Sequence, residues 1–152
     1  MMSGSYDALL QKAVSLLNYR AYSRKELAEK LKLKTACDEQ ELDAVLDRLV
    51  ELGLLNDQIY AASVVRSCAR KGYGRQRALA ELSRRGVPKE LRDEALTEMP
   101  DTEDALERQM RTRLRDPDDR DEVRKVSAAM IRRGYSWDEV RRALDRLNAE
   151  HD

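Results

Sequence analysis

RSCARKGYGRQRALAELSRRGVPKELRDEA, residues Arg66 to Ala95, carries two helix junctions in quick succession: a basic helix end, Gly72-Tyr73-Gly74, a short helix, Gly86-Val87-Pro88 and a further helix start. Glycine at such a place takes the left-handed conformation that closes the preceding helix, and Pro88 suits the first turn of the next because its missing N–H is not needed there. Both turns are written in backbone chemistry. Between Ala62 and Gly86 stand seven cations (Arg66, Arg70, Lys71, Arg75, Arg77, Arg84, Arg85) against the single acid Glu81, within a chain whose 29 cations and 29 anions cancel. This is a basic island in a neutral protein.

Working outward, helical stripes fill both flanks. On the N-terminal side, Leu9, Leu10, Ala13, Leu16 and Leu17 recur at three and four spacing and predict a helix over 6–19. Ser23 with Glu26 three residues on is a capping box opening a second helix with Leu27 and Leu31 inward. Leu42, Val45, Leu46, Leu49 and Val50 make a third, stopped at Gly53, and Asn56 or Asp57 caps a fourth with Tyr60, Ala61, Val64, Val65 and Cys68 inward. Helices over Arg75 to Arg85 (Ala78, Leu79, Leu82 inward) and Pro88 to Met99 (Leu91, Ala95, Leu96) follow. On the C-terminal side, Ala105, Leu106, Met110 and Leu114, then Val123, Val126, Met130 and Ile131, then Trp137, Val140, Leu144 and Leu147 give three more. Trp137, sharing a stripe with three aliphatic residues, is expected in the core. No segment shows the period-two alternation of a half-buried strand, so the fold class is all-α, with about nine helices.

A short word recurs: Arg84-Arg85-Gly86 and Arg132-Arg133-Gly134 are 48 residues apart, and Arg70-Lys71-Gly72-Tyr73-Gly74 matches Arg132-Arg133-Gly134-Tyr135-Ser136. Three tandem three-helix repeats account for the length of 152 residues, over 1–55, 56–99 and 100–152. Each is too small to bury much surface alone, so stability is expected from stacking repeat on repeat in one elongated array. With 41% apolar but only 5% aromatic residues and no phenylalanine, the core must be built from Leu, Val and Ala on narrow stripes.

Composition argues against catalysis. The only histidine is His151, so no histidine-based triad or metal site forms inside the fold, and no metal or other cofactor is expected. The acid-rich runs Glu98–Asp104 and Asp116–Glu122 fall at helix junctions, where capping explains them. Gly72-Tyr73-Gly74 lacks the preceding strand and following Lys-Ser/Thr of a phosphate loop. Cys68 reads as a small core residue and Cys37 as incidental; two cysteines make no disulfide framework. Neither a membrane span nor a basic-then-apolar leader is visible, so a cytosolic setting is expected. Tyr73 and Tyr135 occupy the same slot of the recurring word, which suits either a ring bridging two helices or a ligand contact. The basic island suits an anionic partner, either nucleic-acid phosphate or an acidic protein surface. From Val87 to Glu122 the balance reverses, thirteen acids against seven cations, so charge alternates along the chain.

The words GLLNDQIYA (53–61), RKGYG (70–74) and ELSRRGV (81–87) closely resemble the core of the RecX family of bacterial recombinase regulators, and the resemblance spans roughly Tyr6 to Leu147. It implies a cytosolic, non-enzymatic, all-helical protein that binds the RecA–DNA filament in its groove. Such proteins restrain recombinase, ATPase and coprotease activities by lying in that groove or blocking filament extension. The partner-binding candidates are then Arg66, Arg70, Lys71, Tyr73, Arg75, Arg77, Arg84 and Arg85, facing RecA or DNA, in a protein expected to act as a monomer. The alternative is a direct binder of single- or double-stranded DNA, using Arg75 to Arg85 and Pro88 to Met99 as a helix-turn-helix-like pair.

Overall fold

A computed structural model describes residues 4–151, without the side chain of His151, the candidate excluded above from any catalytic constellation. Among them are nine helices and no strand: α1 (Gly4–Tyr19), α2 (Arg24–Lys34), α3 (Glu39–Glu51), α4 (Asp57–Arg70), α5 (Arg75–Arg84), α6 (Lys89–Leu96), α7 (Glu103–Arg113), α8 (Arg120–Arg132) and α9 (Trp137–His151). Two compact units form. One holds the chain up to Ala61 together with Leu82–Arg92, and the other Ala62–Glu81 together with everything from Asp93 on.

The first unit is built on α1, α2 and α3, each packed on the other two. Leu9, Ala13, Leu27, Leu31, Leu42, Val45, Leu46 and Leu49 form its core, joined by Tyr6, Tyr22 and Leu55. Ser23 holds the entry to α2. Its Oγ accepts from the Glu26 N–H at 3.0 Å while Glu26 Oε1 accepts from the Ser23 N–H at 3.0 Å, completing the capping box. The same hydroxyl donates to Arg85 O at 2.5 Å, and the residue is fully buried. Ser23→Ala removes a cap and strands that carbonyl, so a loss of about 1–2 kcal/mol is expected in urea unfolding, whereas Ser15→Ala, exposed within α1, should be neutral or stabilising by a few tenths because Ala is the better helix former.

In the second unit α7, α8 and α9 pack pairwise around Leu106, Met110, Val126, Met130, Val140, Ala143 and Leu147, with Tyr135 among them. The acid-rich junctions do cap. Asp119 Oδ1 accepts from the N–H groups of Asp121 and Glu122, Asp101 Oδ1 from that of Glu103, and Glu122 Oε1 from that of Asp116.

Several expectations need correction. Trp137 is 57% exposed rather than core, because it is the first residue of α9 and its side chain, tilted toward the helix N-terminus, projects beyond the neighbouring helices. Ile131 and Val50 are 42% and 49% exposed, each one position round the helix from a buried neighbour, Met130 and Leu49. The helix expected over Pro88 to Met99 is shorter, Lys89–Leu96, with Pro88 preceding it and accepting through its carbonyl from Leu91 and Arg92. Cys37 is not incidental either; it packs against the core of the first unit.

Candidate anion-binding face

At the end of α4 the chain closes at Gly72, whose φ of 79° is the left-handed turn anticipated from the sequence. Arg70 and Lys71 are exposed just before it, and Arg66 lies one turn earlier on the same side of α4. None of these three makes an ion pair or a side-chain hydrogen bond with a described residue. Two cations at a helix C-terminus are favoured by the macrodipole, which explains their presence but leaves their charge unneutralised.

The two copies of the recurring word are docked on one another. Gly74 N–H donates to Arg133 O at 2.9 Å, and Gln76 N–H to Gly134 O at 3.0 Å. Contact is so close that a Cβ on Gly74 would stand 2.4 Å from Gly134 O, and one on Gly134 would stand 2.3 Å from Arg77 Cβ. The slot shared by the two tyrosines has therefore diverged. Tyr135 is the bridging ring, 1% exposed, with its hydroxyl donating to Gly72 O at 2.8 Å. Gln109 Nε2 donates to the same carbonyl at 2.9 Å and to the Tyr135 hydroxyl at 3.1 Å. Tyr73 instead is half-buried beneath two guanidinium groups, Arg77 at 4.4 Å and Arg133 at 4.9 Å from its ring centre. Stacking holds those planar cations in place while leaving their N–H edges available.

Burial pushes the Tyr135 phenol above its ordinary value of 10.0, against the lowering effect of the Gln109 hydrogen bond. A raised folded value means that this stabilisation is whole below pH 10 and declines as the pH climbs through the folded value. Tyr135→Phe is expected to cost about 1 kcal/mol at neutral pH, since Gly72 O keeps Gln109 as a donor, and to flatten the loss of stability at alkaline pH. Urea midpoints at neutral and high pH measure both.

Beside this junction lies a cleft of about 320 Å³ lined by Ala69, Arg70, Lys71, Gly72, Ala105, Arg108, Gln109 and Arg133. Among the described residues four cations line it and no carboxylate does. Arg133 is anchored by donation from Nη2 to Lys71 O at 2.5 Å, while its Nε and Gln109 Oε1 are buried with no hydrogen-bond partner among the described residues. Positive charge with no carboxylate among the described lining residues is what a phosphate or carboxylate needs.

Of the candidates, Arg66, Arg70, Lys71, Tyr73, Arg75 and Arg77 belong to this second unit, and Arg84 and Arg85 to the first. Arg75 donates to Leu96 O at 3.4 Å. Arg85 has a partner inside its own unit, donating to the Tyr60 hydroxyl at 2.8 Å. Arg108 and Arg133 escaped the sequence reading because they are remote from the island along the chain. The one available signal was the recurring word, which sets Arg133 in the position of Lys71.

Comparison with known proteins covers nearly the whole chain. Models of the RecX first, second and third three-helix domains match residues 10–49, 56–96 and 101–144. Regulatory protein RecX of Chlorobaculum tepidum is 35% identical over 148 residues, covering 95% of this chain and 91% of that protein. The protein of the same name from Ectopseudomonas mendocina is 37% identical over 142 residues, covering 90% and 93%. The crystal structure of RecX from Lactobacillus salivarius superposes with a TM-score of 0.85 at 22% identity over 97% of this chain and 99% of that one, so the fold is shared. With three helical domains in the family's order and relatives aligned end to end, this chain belongs to the RecX family of regulatory proteins.

Proposed function

We propose that this protein is a non-enzymatic regulator that binds the RecA–DNA filament and inhibits its recombinase, ATPase and coprotease activities, either lying in the filament groove or blocking extension. The observation that carries the proposal is the cleft beside Gly72, where Arg70, Lys71, Arg108 and Arg133 converge without a carboxylate. A polymer of protein wound on nucleic acid offers both acidic side chains and phosphates. Multiple cations carried on folded helices engage such a partner without ordering a flexible tail first. Held across neighbouring subunits, the protein would oppose the conformational cycling that ATP hydrolysis requires.

A helix-turn-helix use of α5 and α6 is less well supported. The would-be recognition helix α6, KELRDEAL, carries three acids against two cations, an unfavourable charge for a groove lined by phosphates. The test is RecA ATP hydrolysis on single-stranded DNA with this protein titrated in, alongside its own binding to that DNA at two salt concentrations. Inhibition at protein levels far below the DNA dissociation constant is expected. Binding to bare DNA that falls with a log-log salt slope of about −0.7 to −0.9 per contact, with no inhibition, would instead make it a DNA binder.

A further inference from the structure

Away from the basic cleft, one face of the second unit carries an apolar groove of about 440 Å³ along α8, closed at one end by Trp137. Its walls are two parallel rows at four-residue spacing: Arg120, Arg124 and Ala128 on one side, and Val123, Ser127 and Ile131 on the other. From Arg120 to Ile131 the rows extend about 16 Å at 1.5 Å per residue, some three helical turns. A furrow between two i, i+4 ridges is the shape into which the side-chain ridge of another helix packs.

Three observations point to an occupant. Trp137 and Ile131, 57% and 42% exposed, present bulky apolar surface to the same furrow. Ser127 is 2% exposed, yet among the described residues its Oγ has no hydrogen-bond partner, not even a carbonyl of its own helix. Among the described residues no carboxylate lines the groove and Arg120 has no ion-pair partner; Arg124 pairs with Asp121 one turn back, and the nearby carboxylates of Asp119 and Glu122 are turned to backbone N–H groups. An apolar floor with a cationic rim complements an amphipathic helix whose apolar ridge is flanked by carboxylates.

We infer that this groove is a second interaction site, separate from the basic cleft, which takes an amphipathic helical segment of a partner protein with apolar residues three and four apart and acids along one flank. Its apolar ridge covers Trp137 and Ile131, and its carboxylates meet Arg120 and Arg124.

Trp137 is the only tryptophan, so its fluorescence reads the site directly. The probe is a capped helical peptide of about 15 residues, matched to the groove length, with leucines at three and four spacing and glutamates on one flank. The control replaces each glutamate by lysine. A saturable blue shift is expected with the glutamate peptide. Binding should be at least about tenfold weaker for the lysine peptide, and for the glutamate peptide on Arg120→Glu/Arg124→Glu. Ile131→Glu, which keeps the indole and alters an exposed position, should abolish the shift with helicity unchanged by circular dichroism. No shift with either peptide, or an equal response to both, would overturn the inference. So would concentration-dependent self-association in sedimentation that Ile131→Glu removes, since a second copy would then be the occupant.

Discussion

Gly134→Ala is expected to be the most damaging small substitution in the protein, lowering the stability of the second unit by about 3–5 kcal/mol. Two costs add. Gly134 has φ of 101°, and an alanine Cβ would stand 2.4 Å from the Arg77 nitrogen and 2.9 Å from its Cα, so the obstacle is backbone rather than a movable side chain. Gly53→Ala separates the costs, because its φ of 75° carries similar strain with nothing within 4 Å of the added Cβ. That variant should lose only about 1–2 kcal/mol. Gly53 belongs to the first unit and Gly134 to the second, so urea unfolding is followed by far-ultraviolet circular dichroism, which reports the helices of both. If Gly134→Ala were no worse than Gly53→Ala, the two copies of the recurring word would not be in the contact described.

The largest functional effect is expected from Arg70→Glu/Lys71→Glu. Both side chains are exposed and line the cationic cleft, and neither makes an ion pair or side-chain hydrogen bond with a described residue, so reversal costs the fold only their favourable interaction with the C-terminus of α4, about 0.3–1 kcal/mol each. Helicity and the unfolding midpoint should stay close to those of the parent. Inhibition of RecA ATP hydrolysis should weaken by more than about tenfold, since each reversal replaces an attraction by a repulsion. Lys125→Glu, an exposed reversal on α8 outside the cleft, is the control and should inhibit like the parent. Full inhibition by the double variant would remove the cleft from the mechanism.

Much of the architecture could be read from the chain because the determinants are local. The capping box at Ser23, the left-handed glycines at 53, 72 and 86, and the stripes through Leu27 and Leu31 or Leu106 and Met110 each lie within a few residues. Trp137 lies exposed at the end of a core stripe for a related reason: periodicity gives a side chain's direction round a helix but not whether a neighbour extends far enough to cover it. Along α8, Val123, Val126, Ser127, Met130 and Ile131 make a stripe wider than the core covers, and the uncovered margin became the groove. The cationic face was half legible. Arg66, Arg70 and Lys71 announce themselves as a run, whereas Arg108, Gln109 and Arg133 join them only because Gly134 lets its backbone rest on Arg77. No spacing rule within one helix conveys that meeting.

On the proposed reading the filament, rather than either of its components, is the target. Co-sedimentation of this protein with preassembled RecA–single-stranded DNA filaments, with the same DNA alone and with RecA lacking DNA, tests it most directly. The expected result is near-stoichiometric retention on the filament at a salt concentration where bare DNA retains almost none. Equal retention on bare DNA and on filaments, lost in parallel as salt rises, would contradict it.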